Sequence, residues 1–385
     1  MRIIYTLLII VLIASSFIEA QWKTTPNEDN FISVAPASQN NPVIASDGNN
    51  GGVIAWEDNR DYPASGYDIY IQKIDKDGYT IFANDGIPIC TAGGDQLNPK
   101  VIEGNDGSVI VFWLDQRTNF TNATDLYAQK IDANGNVLWA VDGVPISEFS
   151  SPTPGSVYYY NIVQDGEGGA YAVWQRNWFG FDMIRAQRIN ADGNIMWDSA
   201  GVKITDGALF DRIPQLIRDN LSGGIVTAFR GTVGYSIMAQ RISPNGNLLW
   251  NSAITVTPNG PQNEYSITAG DVFSNGGLMA VTWITSGPVY AQLIDTSGNK
   301  LWGENGIIVN NVSGAHSLPK IENDFDDETL SLSQPGSIDT TFGERGIFLN
   351  ALPSTSQSGK SVAIQTDGKI VVGGNRTVNQ AADDW

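Results

Sequence analysis

Acidic side chains follow two tryptophans of this chain in one pattern, Trp56-Glu57-Asp58-Asn59-Arg60 and Trp113-Leu114-Asp115-Gln116-Arg117. Residues two apart on an extended strand share a face, so each Asp and Arg is expected to form a local ion pair that fixes a loop. The sharper alternative is acid and base work by carboxylates gathered on one rim, since glycoside hydrolysis needs two of them at a defined separation. Asp58, Asp115 and Asp182 are the candidates for that role, and sequence alone does not rank them. The acid does not recur throughout, because Gln175-Arg176-Asn177 and Ile284-Thr285-Ser286 stand at the corresponding places.

A second group of oxygen donors sits in turns. Asp75-Lys76-Asp77-Gly78, Asp132-Ala133-Asn134-Gly135-Asn136, Asn190-Ala191-Asp192-Gly193-Asn194, Ser243-Pro244-Asn245-Gly246-Asn247 and Asp295-Thr296-Ser297-Gly298-Asn299 space their donors as a calcium loop would. A calcium ion takes about six to eight oxygens, more than any one of these turns supplies. Asn-Gly and Asp-Gly are also the preferred residues of tight hairpins, which is the expected role. Cys90 and His316 are each the only residue of their type. That excludes an intrachain disulfide, His-rich zinc sites and relays built on several histidines. Neither a Walker-type phosphate loop nor a Gly-x-Ser-x-Gly elbow occurs. No catalytic, cofactor-binding or metal-ligating residue is therefore assigned, and no cofactor is expected.

The elements that must position these residues repeat. An Ala-Gln-basic-Ile phrase appears as Ile71-Gln72-Lys73-Ile74, Ala128-Gln129-Lys130-Ile131, Ala186-Gln187-Arg188-Ile189, Ala239-Gln240-Arg241-Ile242 and Ala291-Gln292-Leu293-Ile294, with glutamines 57, 58, 53 and 52 residues apart. Such a period fits four short strands and their turns, so the fold class expected is all-β, a beta-propeller of four-stranded blades. Two aromatic columns accompany the phrase. Trp56, Trp113, Trp174, Phe229 and Trp283 end the second strand of each unit, while Phe82, Trp139, Trp197, Trp250 and Trp302 open the fourth. One sheet cannot bury rings on both faces, whereas sheets stacked around an axis can.

Five units fill 41–317. Residues 1–20, with Met1-Arg2, an apolar run from Ile3 to Ile13 and a small residue at Ala20, read as a signal peptide too short to span a bilayer. Residues 21–40 are expected to be the N-terminal strand of a closing blade. A degenerate junction at 318–335 and a truncated unit at 336–385 complete a count of seven blades, the sixth degenerate and the seventh incomplete. The chain is expected to be a fragment of a longer protein.

The segment Gly336-Ser337-Ile338-Asp339-Thr340-Thr341-Phe342-Gly343-Glu344-Arg345-Gly346-Ile347, followed by Ser361 to Gly374, resembles the delta-60 beta-propeller repeat. Ile131-Asp132-Ala133-Asn134-Gly135-Asn136-Val137-Leu138-Trp139 resembles the tryptophan-docking phrase of quinoprotein propellers, where it packs blade on blade and implies the fold but not the quinone. As a whole the chain resembles exported repeat proteins of Bacteroidetes-like bacteria, which often use type IX secretion.

The net charge is -19, with 22 Lys and Arg against 41 Asp and Glu. That composition argues against nucleic acid as a partner, which needs a basic surface. The reading placed first is a secreted or cell-surface, non-enzymatic, monomeric scaffold that binds an extracellular protein or glycan. The second is an exported hydrolase or lyase acting on polysaccharide with carboxylates over the propeller channel. The third is a quinone-dependent dehydrogenase-like propeller.

Overall fold

The structure, a computed structural model, describes residues 31–62, 66–117, 123–147, 155–178, 180–205, 212–231, 236–257, 264–269, 277–284 and 289–310, together with 356–364 and 370–377. The signal-like leader, residues 21–30, the junction at 318–335 and His316 lie outside the described residues. So does the Gly336 to Ile347 part of the delta-60-like segment.

Five four-stranded antiparallel sheets follow one another along the chain, as in propeller blades. The first contains β1 (Gln39–Ser46), β2 (Gly52–Asp58), β3 (Asp68–Ile74) and β4 (Ile87–Cys90). The second contains β5 (Gln96–Glu103), β6 (Val109–Asp115), β7 (Asp125–Ile131) and β8 (Val144–Pro145). The third is β9 (Gly155–Gln164), β10 (Ala170–Trp178), β11 (Phe181–Ile189) and β12 (Val202–Lys203). The fourth is β13 (Arg212–Arg218), β14 (Ile225–Arg230), β15 (Ile237–Ile242) and β16 (Ile254–Thr255). The fifth is β17 (Glu264–Ala269), β18 (Gly277–Ile284), β19 (Val289–Asp295) and β20 (Ile307–Asn310). A two-stranded hairpin, β21 (Ser356–Ile364) and β22 (Ile370–Thr377), stands apart in the pairing. No α-helix occurs among the described residues, and no helix there is long and apolar enough to cross a membrane.

Each sheet is ordered from its first strand to its fourth, and the first strands adjoin one another in series, β1 beside β5, β5 beside β9, β9 beside β13 and β13 beside β17. The first strands therefore form the inner edges of the blades. The number of blades that closes the ring depends on residues outside the described set. Residues 31–38 form no strand, and the Val34 N–H donates to Asp85 Oδ1 of the first blade at 2.6 Å.

The repeated phrase is a set of staples. Gln129 is buried, its Nε2 donating to the Ala140 carbonyl at 2.6 Å and its Oε1 accepting from the Trp139 N–H at 3.0 Å. Gln72, Gln187 and Gln292 make the same two bonds to the segment that leads into the fourth strand. A buried amide must satisfy both ends, and here each end holds the chain where the fourth strand must start. The basic residue of the phrase also has a fixed partner. Lys73, Arg188 and Arg241 pair with Asp47, Asp165 and Asp219, which open the first hairpin turns of their blades.

The first aromatic column is sealed between sheets, as its spacing predicts, while Trp197 and Trp302 of the second are half-buried. Trp113, Trp174, Phe229 and Trp283 are fully buried. One apolar cluster joins Ile110, Phe112 and Leu126 of the second sheet to Val157, Tyr160 and Trp174 of the third. The second column differs from expectation in one respect, because its rings sit in the connection before the fourth strand and not within it. From there three of the indoles reach the next blade. Trp139, Trp197 and Trp250 donate through Nε1 to the carbonyls of Ala191, Pro244 and Thr296 at 3.0, 3.0 and 3.1 Å. The Trp139 ring lies against Gly193, whose φ of 83° and close approach both require glycine, since a Cβ there would stand 2.7 Å from the ring.

Candidate functional site

The carboxylates singled out by sequence are committed to structure. Asp58 Oδ1 accepts from the Arg60 backbone N–H and Nε at 2.9 Å each, while Oδ2 accepts from Trp56 Nε1 at 2.8 Å and Arg60 Nη2 at 2.6 Å. The Arg60 guanidinium lies 4.0 Å above the Tyr70 ring and also donates to the Asp85 carbonyl at 2.8 Å. Asp115 makes the same bonds with Trp113 and Arg117, and Arg117 lies 4.0 Å above Tyr127. Burial opposes ionisation of Asp58, but the bonds from Arg60 and Trp56 outweigh it and hold its carboxyl below the usual value. A carboxylate with four donors on two oxygens has little capacity left for a substrate proton.

Asp182 is also engaged, by Arg212 Nε at 2.9 Å and Asn177 Nδ2 at 2.8 Å, and it ties the third blade to the fourth. The structure therefore does not gather Asp58, Asp115 and Asp182 into one acid and base site. In the third blade Arg176 stands where Asp58 and Asp115 stand, and Trp174 Nε1 is buried with no hydrogen-bond partner among the described residues.

The oxygen-rich turns fold on themselves. Asp132 Oδ1 accepts from the N–H groups of Asn134 and Asn136 at 2.8 Å each, and Oδ2 accepts from Asn136 Nδ2 at 2.8 Å. Asp295 repeats the arrangement. These donors serve their own backbone, which is hairpin geometry. Among the described residues no group of three or more His, Cys, Asp or Glu is placed to hold a metal ion. Cys90 is buried, its thiol pushed up to about 12 chiefly by burial.

A different set of residues lines the inner strands. Each first strand pairs with its second through one position just before the blade aromatic: Val43 opposite Ala55, Lys100 opposite Phe112, Asn161 opposite Val173, Gln215 opposite Ala228 and Ser266 opposite Thr282. Three of these form a polar chain across three blades. Lys100 Nζ donates to Asn161 Oδ1 at 3.0 Å, and Asn161 Nδ2 donates to the Pro214 carbonyl at 3.3 Å and Gln215 Oε1 at 3.4 Å. Lys100 Nζ lies 5.1 Å from the centre of the Tyr160 ring. Burial lowers the Lys100 ammonium to about 8, with no carboxylate among the described residues to offset the lost hydration.

The strand ends around this chain are fixed by bulges. Asn41, Asn98 and Ile213 have φ of 49°, 51° and 53°, and each precedes a proline at a register shift in its first strand. Proline lacks a ladder donor, so it is accommodated on edge strands and at bulges, and these strands are the inner edges. Glu57 Oε1 accepts from Asn98 N–H at 2.6 Å and Asn41 Nδ2 at 2.8 Å, and Gln175 Oε1 accepts from Ile213 N–H at 3.2 Å. Tyr160 Oη lies between the carbonyls of Asn98 and Phe112, and Tyr265 Oη between those of Ile213 and Ala228, each hydroxyl with its one hydrogen shared between two acceptors. Beside this rigid frame, Tyr158 and Tyr159 are each 54% exposed at the start of β9. The sequence reading missed Lys100, Asn161, Gln215 and Glu57. Its available signal was the residue after each bulge proline, Val43, Lys100 and Gln215 following Pro42, Pro99 and Pro214.

No family model and no curated protein matches the chain. Solved structures do. An alpha-L-arabinofuranosidase from Lactobacillus brevis is 13% identical over 69% of this chain and 94% of its own, with a TM-score of 0.36. An endo-arabinase from Bacteroides thetaiotaomicron VPI-5482 is 16% identical over 76% of this chain and all of its own, with a TM-score of 0.35. A polysaccharide lyase, an ulvan lyase bound to -[GlcA(1-4)Rha3S]-, is 10% identical over 70% of this chain and 69% of its own, with a TM-score of 0.45. These neighbours are polysaccharide-acting enzymes, and the non-enzymatic scaffold placed first by the sequence reading is corrected accordingly.

Proposed function

We propose that this protein is an exported polysaccharide-acting enzyme, a hydrolase or lyase, whose substrate meets the inner strands. One observation of the chain itself carries the reading: Lys100, Asn161 and Gln215 form a continuous polar chain across β5, β9 and β13 next to exposed Tyr158 and Tyr159. Hydrogen-bonding side chains set in a frame of pinned bulges, flanked by exposed rings, are what an extended, hydroxyl-rich and partly apolar polymer requires. The carboxylates first considered, Asp58, Asp115 and Asp182, belong to the frame in this reading.

Export is inferred from the leader-like residues 1–20. The delta-60-like segment and the overall repeat pattern support an origin among Bacteroidetes-like exported proteins, and a glycan as partner. The test is incubation of the full chain with a panel of neutral and acidic polysaccharides, measuring new reducing ends and the ultraviolet absorbance of unsaturated products. Release of either from one polymer is expected. Failure to release either from any polymer between mildly acidic and mildly alkaline pH would overturn the proposal.

A further inference from the structure

We infer that Lys100 is the receptor for an anionic substituent, a carboxylate or a sulfate, on the glycan bound at the inner strands. This rests on the proposed polysaccharide reading of the same site and narrows its substrate to acidic polymers.

Lys100 differs from the other cations that hold the blades at this end. Arg60, Arg117 and Arg212 are paired with Asp58, Asp115 and Asp182. Lys100 has an amide oxygen and a ring face instead, with no carboxylate in reach among the described residues. Lys100 is half-buried; withdrawing a cation even partly from water without an anion is unfavourable, and neither the Asn161 amide nor the Tyr160 face carries the full charge needed to offset it. Anionic binding from outside would supply that charge.

The ammonium has donors left for it. An ammonium has three donors, and Asn161 Oδ1 takes one. Asn161 itself cannot turn away without losing its bonds to the Pro214 carbonyl and Gln215. The side chain is thus held in place by the groups that position it, with donors unspent. Tyr158 and Tyr159, exposed on the adjoining strand, are placed to stack on the sugar that carries the substituent. The net charge of -19 repels polyanions in general, so retention of an acidic polymer must come from a local site and not from bulk attraction.

The test is affinity electrophoresis of the full chain in native gels. The gels contain polygalacturonate, its methyl ester, dextran sulfate or unsubstituted dextran, and the chain is run as wild type, Lys100→Met and Lys100→Arg. Wild type is expected to be retarded by polygalacturonate, dextran sulfate or both, and by neither neutral counterpart. Lys100→Met should weaken that retention by about tenfold, the loss of one charge-assisted bond, and Lys100→Arg should recover part of it. Retention by one charged polymer alone identifies its group, carboxylate or sulfate, as the ligand. Equal retention of wild type and Lys100→Met, equal retention by charged and neutral polymers, or no retention by either charged polymer overturns the inference. Thermal unfolding of each variant confirms that it is folded, and Lys100→Gln replaces any that is not. Because the readout is binding, retention that depends on Lys100 without turnover of any glycan sinks the enzyme reading alone. Turnover with retention indifferent to Lys100 sinks this inference alone.

Discussion

Replacing Asp58 separates a structural carboxylate from a catalytic one. Its side chain is fully buried and accepts four hydrogen bonds, three from Arg60 and one from Trp56. Asp58→Ala leaves the Arg60 guanidinium without its anion and Trp56 Nε1 without an acceptor. Removing one partner of a buried pair costs about 3 to 5 kcal/mol, and because Arg60 keeps some exposure the lower end, about 3 kcal/mol, is expected. Asp58→Asn keeps the shape and one acceptor oxygen, so about 2 kcal/mol is expected from the lost charge-assisted bonds. The third blade limits the estimate, since it survives with Trp174 Nε1 unpartnered where Arg176 replaces the acid. The sign with pH is also fixed. The Asp58 carboxyl titrates lower in the folded chain than in the unfolded one. Its contribution is therefore present above the ordinary carboxylate value and is lost as pH falls through the depressed value. Urea unfolding of wild type and variants at neutral and acidic pH measures this, with glycan turnover per folded molecule in parallel. An Asp58→Asn protein as stable as wild type but devoid of turnover would refute the reasoning and return Asp58 to catalysis.

Further outcomes follow from the same geometry. Gly193→Ala should lower stability by about 2 to 3 kcal/mol, because it combines a positive φ with a Cβ driven into Trp139. Gly223→Ala, at φ 73° with its nearest neighbour 3.7 Å away, should cost only about 1 kcal/mol in the same urea series. Gln129→Ala should cost about 2 to 4 kcal/mol by leaving the Ala140 carbonyl and Trp139 N–H unpaired in the interior, read as a shift of the unfolding midpoint. For Lys100, whose ammonium falls from 10.5 to about 8 on burial, the unfolded chain binds the extra proton between those values. Stability should therefore rise with pH across that window, and Lys100→Met should abolish the rise.

The blades were legible in the sequence because their determinants are local and repeated. Gly193 in its turn, Gln129 in the third strand and Trp139 ten residues on are each required by one backbone geometry, and five copies make the pattern visible. The pairing of Asp58 with Arg60 was legible from their spacing of two, although Arg60 lies in the turn after β2, where Asp58 accepts from its backbone N–H as well as its guanidinium. The Trp56 bond that completes the clasp was not, since it depends on how the indole turns. The inner polar chain was hidden because Lys100, Asn161 and Gln215 come from three blades and share no residue type. They occupy one register position, but that position is set by bulges at Asn41, Asn98 and Ile213. In the third blade the bulge carries Tyr158 and no proline, so the spacing that betrays the other blades fails there.

The central claim is that chemistry on a polysaccharide takes place at the inner strands, with the rim carboxylates as framework. It is tested most directly by glycan turnover per folded molecule for wild type, Lys100→Met and Asp58→Asn side by side. The expected result is turnover by wild type, a loss of about tenfold or more in Lys100→Met at full stability, and near-normal specific turnover in a destabilised Asp58→Asn. Turnover unchanged in Lys100→Met and abolished in a stable Asp58→Asn would contradict the account.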